Sequence, residues 1–221
     1  MYHRHFRIIK INSSYAMKFT TLIGSVLFMM SAALCITVHP VVYELKDDAA
    51  SRAAFAVAYK VFMHPRCVNC HPVGDAPLRG EDSRQHAGLR LHRGADGRGV
   101  LTLKCTNCHQ AHNQQGVNMP PGAPNVLGDG SLDFTTPRWR LPSAETPMTF
   151  QGRTATQLCH QLQDPKQNGG LTAEQLIHHV SSDPLVLWGW NPGEGRTTPP
   201  MTHDEFVSSI RVWLEKGGAC P

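Results

Sequence analysis

The sequence has little aromatic and hydrophobic content for its length. Of its 221 residues, 41% are hydrophobic and 7% aromatic, whereas glycine and proline number 19 and 16. Such a composition argues against a large apolar core and predicts much irregular chain between short helices. Alternating strand patterns are absent as well. We therefore expect a mainly α-helical protein with short helices, long irregular loops and no substantial sheet.

Net positive charge is also lacking once the N-terminal segment is set aside. Four of the 21 basic residues are Arg4, Arg7, Lys10 and Lys18, and no acidic residue precedes Glu44. Without these four, the remaining basic residues equal the 17 acidic ones in number. No basic patch with interleaved aromatic side chains follows. The composition therefore argues against nucleic acid as a partner.

One uncharged apolar run, residues 19–38, follows Met17 and Lys18. A charged start followed by an apolar segment is typical of a secretory signal peptide. The run is also long enough to cross a membrane uncleaved, so a retained anchor remains an alternative. Both alternatives place the rest of the chain in the periplasm, either soluble or anchored to the inner membrane. We expect an extension over 1–38 and a single domain over 39–221.

One short motif occurs twice in the chain. The copies are Cys67-Val68-Asn69-Cys70-His71 and Cys105-Thr106-Asn107-Cys108-His109. The C-x-x-C-H pattern is the attachment site of a c-type haem, whose two vinyl groups are bonded by the two thiols. The histidine then becomes the proximal iron ligand. We therefore predict two covalently attached haem c groups with His71 and His109 as proximal ligands, and the porphyrins would supply the missing apolar volume.

Two other uses of the cysteine pairs were weighed. Four cysteine ligands could bind one zinc ion, although common zinc ribbons space their pairs more closely. A thioredoxin-like redox pair would need a surrounding βαβ pattern, which the sequence does not show. Neither use explains the histidine that follows both pairs, whereas haem attachment requires it.

The second axial ligand of each iron decides between an electron carrier and an enzyme. A methionine raises the reduction potential, whereas a histidine favours ferric iron. Met148 has the chain length to reach either haem, and His86 has the length to reach the first. Met119 precedes two prolines, as the distal methionine does in many monohaem cytochromes c. Met148, His86 and Met119 are therefore the candidate distal ligands, with Met201 as a further candidate.

Two cysteines, Cys159 and Cys220, remain outside the leader and the motifs. In an oxidising compartment such a pair favours a disulfide, which would tie the C-terminus to an earlier helix.

Helix signals surround the motifs. Asp47 and Asp48 begin an alanine-rich segment that predicts a helix over 47–63. Capping boxes that start at Thr154, Thr172 and Thr202 predict three more helices. Residues 72–104 are expected to be loop with a short helix near His86, and residues 114–149 are expected to be loop.

Several segments resemble a family of small bacterial cytochromes, often labelled isoquinoline 1-oxidoreductase subunit. The likeness covers most of the chain after residue 50. Its segments are 62–67 (FMHPRC), 120–124 (PPGAP), 158–159 (LC), 164–170 (DPKQNGG), 183–190 (DPLVLWGW) and 217–221 (GGACP). The resemblance implies a molybdenum hydroxylase as redox partner, an enzyme that removes two electrons from an aldehyde or N-heterocycle. Residues 125–138 depart from the family, which joins the flanking elements by a shorter link.

The sequence therefore predicts an electron-transfer protein rather than an enzyme. Its partners would be a donor dehydrogenase or molybdenum hydroxylase and an acceptor cytochrome or oxidase. Two alternatives keep one iron open: a dihaem peroxidase-like enzyme, for which the link between the motifs is short, and a haem-based sensor, which would normally carry an output domain.

Overall fold

The computed structural model describes residues 46–86 and 91–221. The predicted extension 1–38, with its choice between signal peptide and membrane anchor, lies outside the described residues. Within these ranges, no helix has both the length and the apolar character that crossing a membrane requires.

Six α-helices lie in the described ranges. They are α1 Asp48–Phe62, α2 Pro65–Val68, α3 Ala155–Gln163, α4 Ala173–Ser182, α5 Pro184–Leu187 and α6 His203–Glu215. Helix α1 packs mainly against α6, which also contacts α4, while α3 packs on α1. Their inward faces form the apolar core, which includes Phe55, Leu158, Val180, Ile210 and Trp213. The protein thus buries its long helices together and leaves the motif segments at their margin.

The helix starts follow the local capping chemistry. Asp47 Oδ1 accepts hydrogen bonds from the backbone N–H groups of Ala49 and Ala50. The side chains of Thr154, Thr172 and Thr202 each accept from the backbone of the residue three positions on, and the Gln or Glu at that position returns the bond. These bonds satisfy N–H groups that a helix start leaves unpaired. The four helices predicted from these signals are confirmed.

Aromatic side chains connect the core to the first motif. Phe55 packs on Trp213 with ring centroids 4.8 Å apart, and Phe62 meets both Phe150 and Phe206 edge-on at 5.3 Å. Such edge-to-face pairs add about 0.5–1.5 kcal/mol beyond the area they bury. The segment at Phe150 is thereby held against the helices, and the position of this segment matters for the site.

The predicted fold class is wrong. Of the described residues, 35% are helical and 10% lie in strands, so the chain is not a mainly α-helical, cytochrome c-like protein without sheet. Three two-stranded antiparallel sheets are present in these ranges. Their strands are β1 Leu78–Arg79 with β2 Arg84–Gln85, β3 Gly99–Val100 with β4 Leu103–Lys104, and β5 Pro124–Val126 with β6 Leu132–Pro137.

The strands escaped prediction because most are only two residues long, too short for any alternation of side chains. The short helix expected near His86 is not found in the described part of the chain, where β2 ends at Gln85, and residues 87–90 lie outside that part. The β5–β6 hairpin had a usable signal. Asp129 and Gly130 lie between its strands, and Asp-Gly is a preferred hairpin turn. Most of residues 125–138, the segment that interrupts the expected family resemblance, belongs to this hairpin.

A buried arginine ties the loops around the motifs together. The Arg93 side chain is only 1% exposed and pairs with Asp75 at 3.3 Å. Its guanidinium donates to the carbonyl oxygens of Gly74 (2.7 Å) and Pro142 (3.0 Å). The loop after the first motif is therefore fixed to the segment that leads to Met148.

Candidate haem-attachment site

Each C-x-x-C-H motif forms a single helical turn. Helix α2 ends within the first motif, and a 3₁₀ turn over Cys105–Asn107 forms most of the second. In both, the backbone N–H of the histidine donates to the carbonyl oxygen of the first cysteine, at 3.2 Å for His71 and 3.0 Å for His109. Residues three and four positions apart share one face of such a turn. The two thiols and the imidazole of each motif are thus presented together.

The two motif histidines make the same hydrogen bond. His71 donates from Nδ1 to the carbonyl oxygen of Met148 (2.6 Å), and His109 donates from Nδ1 to that of Pro121 (2.7 Å). A carbonyl oxygen can only accept, so Nδ1 carries the proton and Nε2 keeps its lone pair. This tautomer and this kind of partner are characteristic of metal-binding histidines. Both rings are therefore oriented to bind a metal through Nε2.

An aromatic ring also stacks on each imidazole. Phe150 lies 3.8 Å from the His71 ring at 10°, and Trp139 lies 4.6 Å from the His109 ring at 4°. Burial lowers the pKa of His71 to about 3 and that of His109 to about 4, because a charged imidazolium is poorly solvated there. Both imidazoles are therefore neutral at physiological pH, the state in which histidine binds metals.

Met148 supplies its carbonyl oxygen from an uncommon backbone conformation. Its φ is +48°, in the left-handed region that side-chain-bearing residues seldom adopt. Such a conformation costs on the order of 1 kcal/mol and persists where the surroundings determine it. Here the hydrogen bond from His71 and the packing of Phe150 two residues later fix the segment.

One cavity of about 640 Å³ borders both motifs. Cys70 of the first motif and Cys105, Cys108 and His109 of the second line it, together with His86. Its volume lies in the range of small-molecule and cofactor sites, roughly 300–1,000 Å³. The two motifs therefore border one space.

The charged side chains of the cavity lining are predominantly basic. Two acidic residues, Glu81 and Asp82, face a larger set of cations: Arg66, Arg79, Arg84, Lys104, Arg140 and Arg196. Arg66 is 5% exposed, forms an ion pair with Glu81 and keeps its Nε buried without a hydrogen-bond partner. Such a lining attracts an anionic group. A porphyrin with two propionates fits the thiols, the imidazole and this charge.

The histidine candidate for a distal position lies at the second motif. The His86 ring centroid is 6.3 Å from that of His109, with the planes at 72°, and both residues line the cavity. The sequence argument gave His86 the length to reach the first haem, whereas the structure places it beside the second motif. Its Nδ1 is buried with no hydrogen-bond partner.

The methionine candidates lie elsewhere. The Met148 backbone meets His71 at Nδ1, on the side of the ring opposite Nε2. Met119 is 40% exposed, and its carbonyl oxygen accepts from Arg196. Met201 packs against the helical core, and its carbonyl oxygen accepts from Trp190. None of the three is part of the cavity lining that contains His109.

The six cysteines of the described residues divide into two groups. Cys159 and Cys220 form a disulfide with Cα atoms 5.6 Å apart, which joins α3 to the C-terminal segment. Cys67, Cys70, Cys105 and Cys108 are unpaired. Burial raises the pKa of Cys67 to about 12 and that of Cys70 to about 11, because a thiolate is poorly solvated there. These sites favour an uncharged sulfur, which a thioether also provides.

No group of three or more His, Cys, Asp or Glu side chains is placed to hold a metal ion in the described part of the chain. A four-cysteine zinc site would need such a group, whereas haem iron takes its protein ligands singly, one on each side of the ring.

Sequence reasoning missed the partners of the motif histidines. Trp139, Phe150 and the Pro121 carbonyl oxygen are distant in sequence from the rings they contact, so no local spacing signals them. Comparison of the chain with family models, with curated proteins and with solved structures found no match.

Proposed function

We propose that this protein is an exported dihaem c-type cytochrome that transfers electrons between redox proteins. The observation that supports this most strongly is the shared environment of the two motif histidines. Each donates from Nδ1 to a backbone carbonyl oxygen and stacks on an aromatic ring. Two unrelated chain segments converge on one arrangement, the one a histidine needs in order to bind iron through Nε2.

The chain's residues have distinct roles in this proposal. The four motif cysteines bond the porphyrins covalently, and His71 and His109 bind the irons. The carbonyl oxygens of Met148 and Pro121 fix the orientation and basicity of the two imidazoles. Haem supplies one-electron redox chemistry when bound. Because Cys70 and Cys105 line one cavity, the two sites are close enough to favour electron exchange between them.

The location and the partners follow from the sequence. Covalent haem attachment takes place outside the cytoplasm, where the apolar run 19–38 would direct the chain. The resemblance to cytochrome subunits of molybdenum hydroxylases makes such an enzyme, or another periplasmic dehydrogenase, the proposed electron donor. A cytochrome or oxidase would then be the acceptor.

Haem counting tests the proposal. We would express the full chain in a host able to mature c-type cytochromes and measure intact mass and haem content after acid extraction. We expect two haems that resist extraction. The C67A/C70A and C105A/C108A variants should each retain one, because each removes one pair of attachment thiols. The matched control C159A/C220A changes two cysteines outside the motifs and should retain both. A chain matured without covalent haem would contradict the proposal.

The alternative functions, a peroxidase-like enzyme or a haem-based sensor, need one iron with an open coordination position. The first motif is the place where such an iron would lie. Among the described residues, His71 has no second imidazole at the spacing that His86 has from His109; its ring contact is Phe150. Carbon monoxide added to the reduced protein discriminates between the functions. An unchanged Soret band supports the electron carrier, whereas a shift shows an accessible iron and supports the alternatives.

A further inference from the structure

The rings of His86 and His109 are spaced as two axial ligands of one iron would be. A bond from a metal to an imidazole nitrogen is about 2.0 Å long, and that nitrogen lies about 1.15 Å from the ring centroid. Two such bonds in line place the centroids about 6.3 Å apart. The observed separation is 6.3 Å.

A direct hydrogen bond between the two rings does not explain the spacing. Two imidazoles joined by an N–H···N bond of about 2.9 Å would have centroids about 5.2 Å apart, well inside the observed value. The stacked rings on His71 and His109 are also closer, at 3.8 Å and 4.6 Å. The centroid separation of His86 and His109 thus matches two imidazoles bonded to one atom between them, rather than two imidazoles joined by a hydrogen bond.

The surroundings of the gap match a haem. His109 donates from Nδ1 to Pro121, so its Nε2 remains for the iron. His86 has a buried Nδ1 without a hydrogen-bond partner. The attachment thiols of the same motif, Cys105 and Cys108, line the cavity that both rings border.

We propose, on the basis of the proposed function, that His86 is the distal ligand of the haem at the second motif, which makes that iron bis-histidine ligated. His86 reaches this position because the β1–β2 hairpin is anchored to the first motif. Asn69 holds the hairpin through its backbone and its side chain. Its backbone carbonyl oxygen accepts a hydrogen bond from the Leu78 N–H (3.1 Å), and its Nδ2 donates to the Gly80 carbonyl oxygen (2.9 Å). The backbone N–H of His86 donates to Pro77 (3.0 Å). In this proposal the first motif, through the hairpin bound to it, positions His86 to bind the iron at the second motif.

Substitution of His86 in the haem-loaded full chain tests this proposal. In H86A, one additional equivalent of haem per chain should become high-spin in the ferric state and should bind carbon monoxide when reduced. In H86M, a methionine replaces the imidazole, and the reduction potential of one haem should rise. The matched control is H92A, because His92 borders the same cavity but is exposed. It should leave the spin state, carbon monoxide binding and both potentials unchanged.

The outcomes separate this proposal from the function on which it rests. Two covalent haems with ferric spin state and carbon monoxide binding unchanged in H86A would overturn the assignment of His86 and leave the cytochrome intact. If H86A fails to mature, comparison of H86M with the parent protein tests the assignment of His86. The assignment of His86 is overturned if the haem at the second motif binds carbon monoxide as readily in the parent as in H86M and has the same reduction potential in both proteins. A chain without covalent haem overturns both proposals.

Discussion

Removal of the Cys159–Cys220 disulfide should destabilise the protein by an amount that follows from its position. The bond joins residues 61 apart in sequence and connects α3 to the C-terminal segment. Closing a loop of that length removes chain entropy from the unfolded state equivalent to about 4 kcal/mol. This is a substantial part of the roughly 5–15 kcal/mol by which domains are stable. The melting temperature of a domain of this size should therefore fall by about 8–16 °C.

Two single variants isolate the cross-link from packing. Cys220 is partly exposed, so C220S removes the bond with little loss of core contact. Cys159 is fully buried, so C159A also removes a packed sulfur and should lose somewhat more. Guanidinium unfolding followed by far-UV circular dichroism measures both. A phosphine reductant should bring the parent to the level of C220S, because it cleaves the disulfide and leaves haem thioethers intact.

Ser51 provides the control, since it holds the same C-terminal segment without a covalent bond. Its hydroxyl donates to the Trp213 carbonyl oxygen (2.7 Å) and accepts from the Ala219 N–H (2.8 Å). S51A should lose about 1–3 kcal/mol, and the loss should be the same with and without reductant. A C220S variant within about 1 kcal/mol of the oxidised parent would refute the entropic reasoning.

Two further predictions concern buried charges. R93M should lower the free energy of unfolding in denaturant by about 3 kcal/mol, because two loop carbonyl oxygens lose a charged donor. The control is R98M, since Arg98 is a half-exposed arginine of the same segment, and its free energy of unfolding should change by about 0.5 kcal/mol or less. An equal loss in both variants would contradict the role given to Arg93. Burial alone raises the pKa of Asp183, but hydrogen bonds from His179 and Arg138 outweigh it and hold that pKa below its ordinary value. A lowered carboxyl pKa stabilises the fold above the unfolded value of about 3.9, so the stability difference between parent and D183N should be constant near neutrality and shrink as pH falls below about 4; a pH-independent difference would show that Asp183 acts through its shape alone.

The helices could be predicted because their signals are local. Thr154, Thr172 and Thr202 each lie three residues before the side chain that completes the capping box, so the motif is complete within four residues. The helix predicted over 47–63 is observed at Asp48–Phe62, a difference within the usual uncertainty of a helix boundary.

The sheets and the fold class could not be predicted in the same way. Strands β1 to β4 are two residues long, and their pairing depends on where neighbouring loops are anchored rather than on side-chain alternation. The hairpin around Asp129 and Gly130 is the exception, because its turn chemistry is visible in the sequence. A search for strand alternation alone overlooks such a hairpin.

In the candidate site, too, local features could be predicted from the sequence and distant contacts could not. The spacing within each motif predicts which residues present thiols and imidazole, because one helical turn determines that geometry. It does not predict which distant carbonyl oxygen or ring completes the surroundings of His71 and His109. Chain length gave His86 the reach to the first haem, yet the hairpin that carries it turns toward the second. Reach sets an upper limit on distance and says nothing of direction.

The two asparagines inside the motifs show why the proposed second haem site would depend on the first motif. Asn69 and Asn107 occupy the same place in their motifs, and haem attachment makes no demand on the residues between the cysteines. Asn107 is exposed, whereas Asn69 binds the β1–β2 hairpin through its carbonyl oxygen and its side chain. That hairpin ends next to His86, so a displacement of the first motif would move the imidazole proposed to bind the second iron. The proposed ligation of the second haem would thus be tied to the position of the first motif, and the two proposed haem sites would form one structural unit.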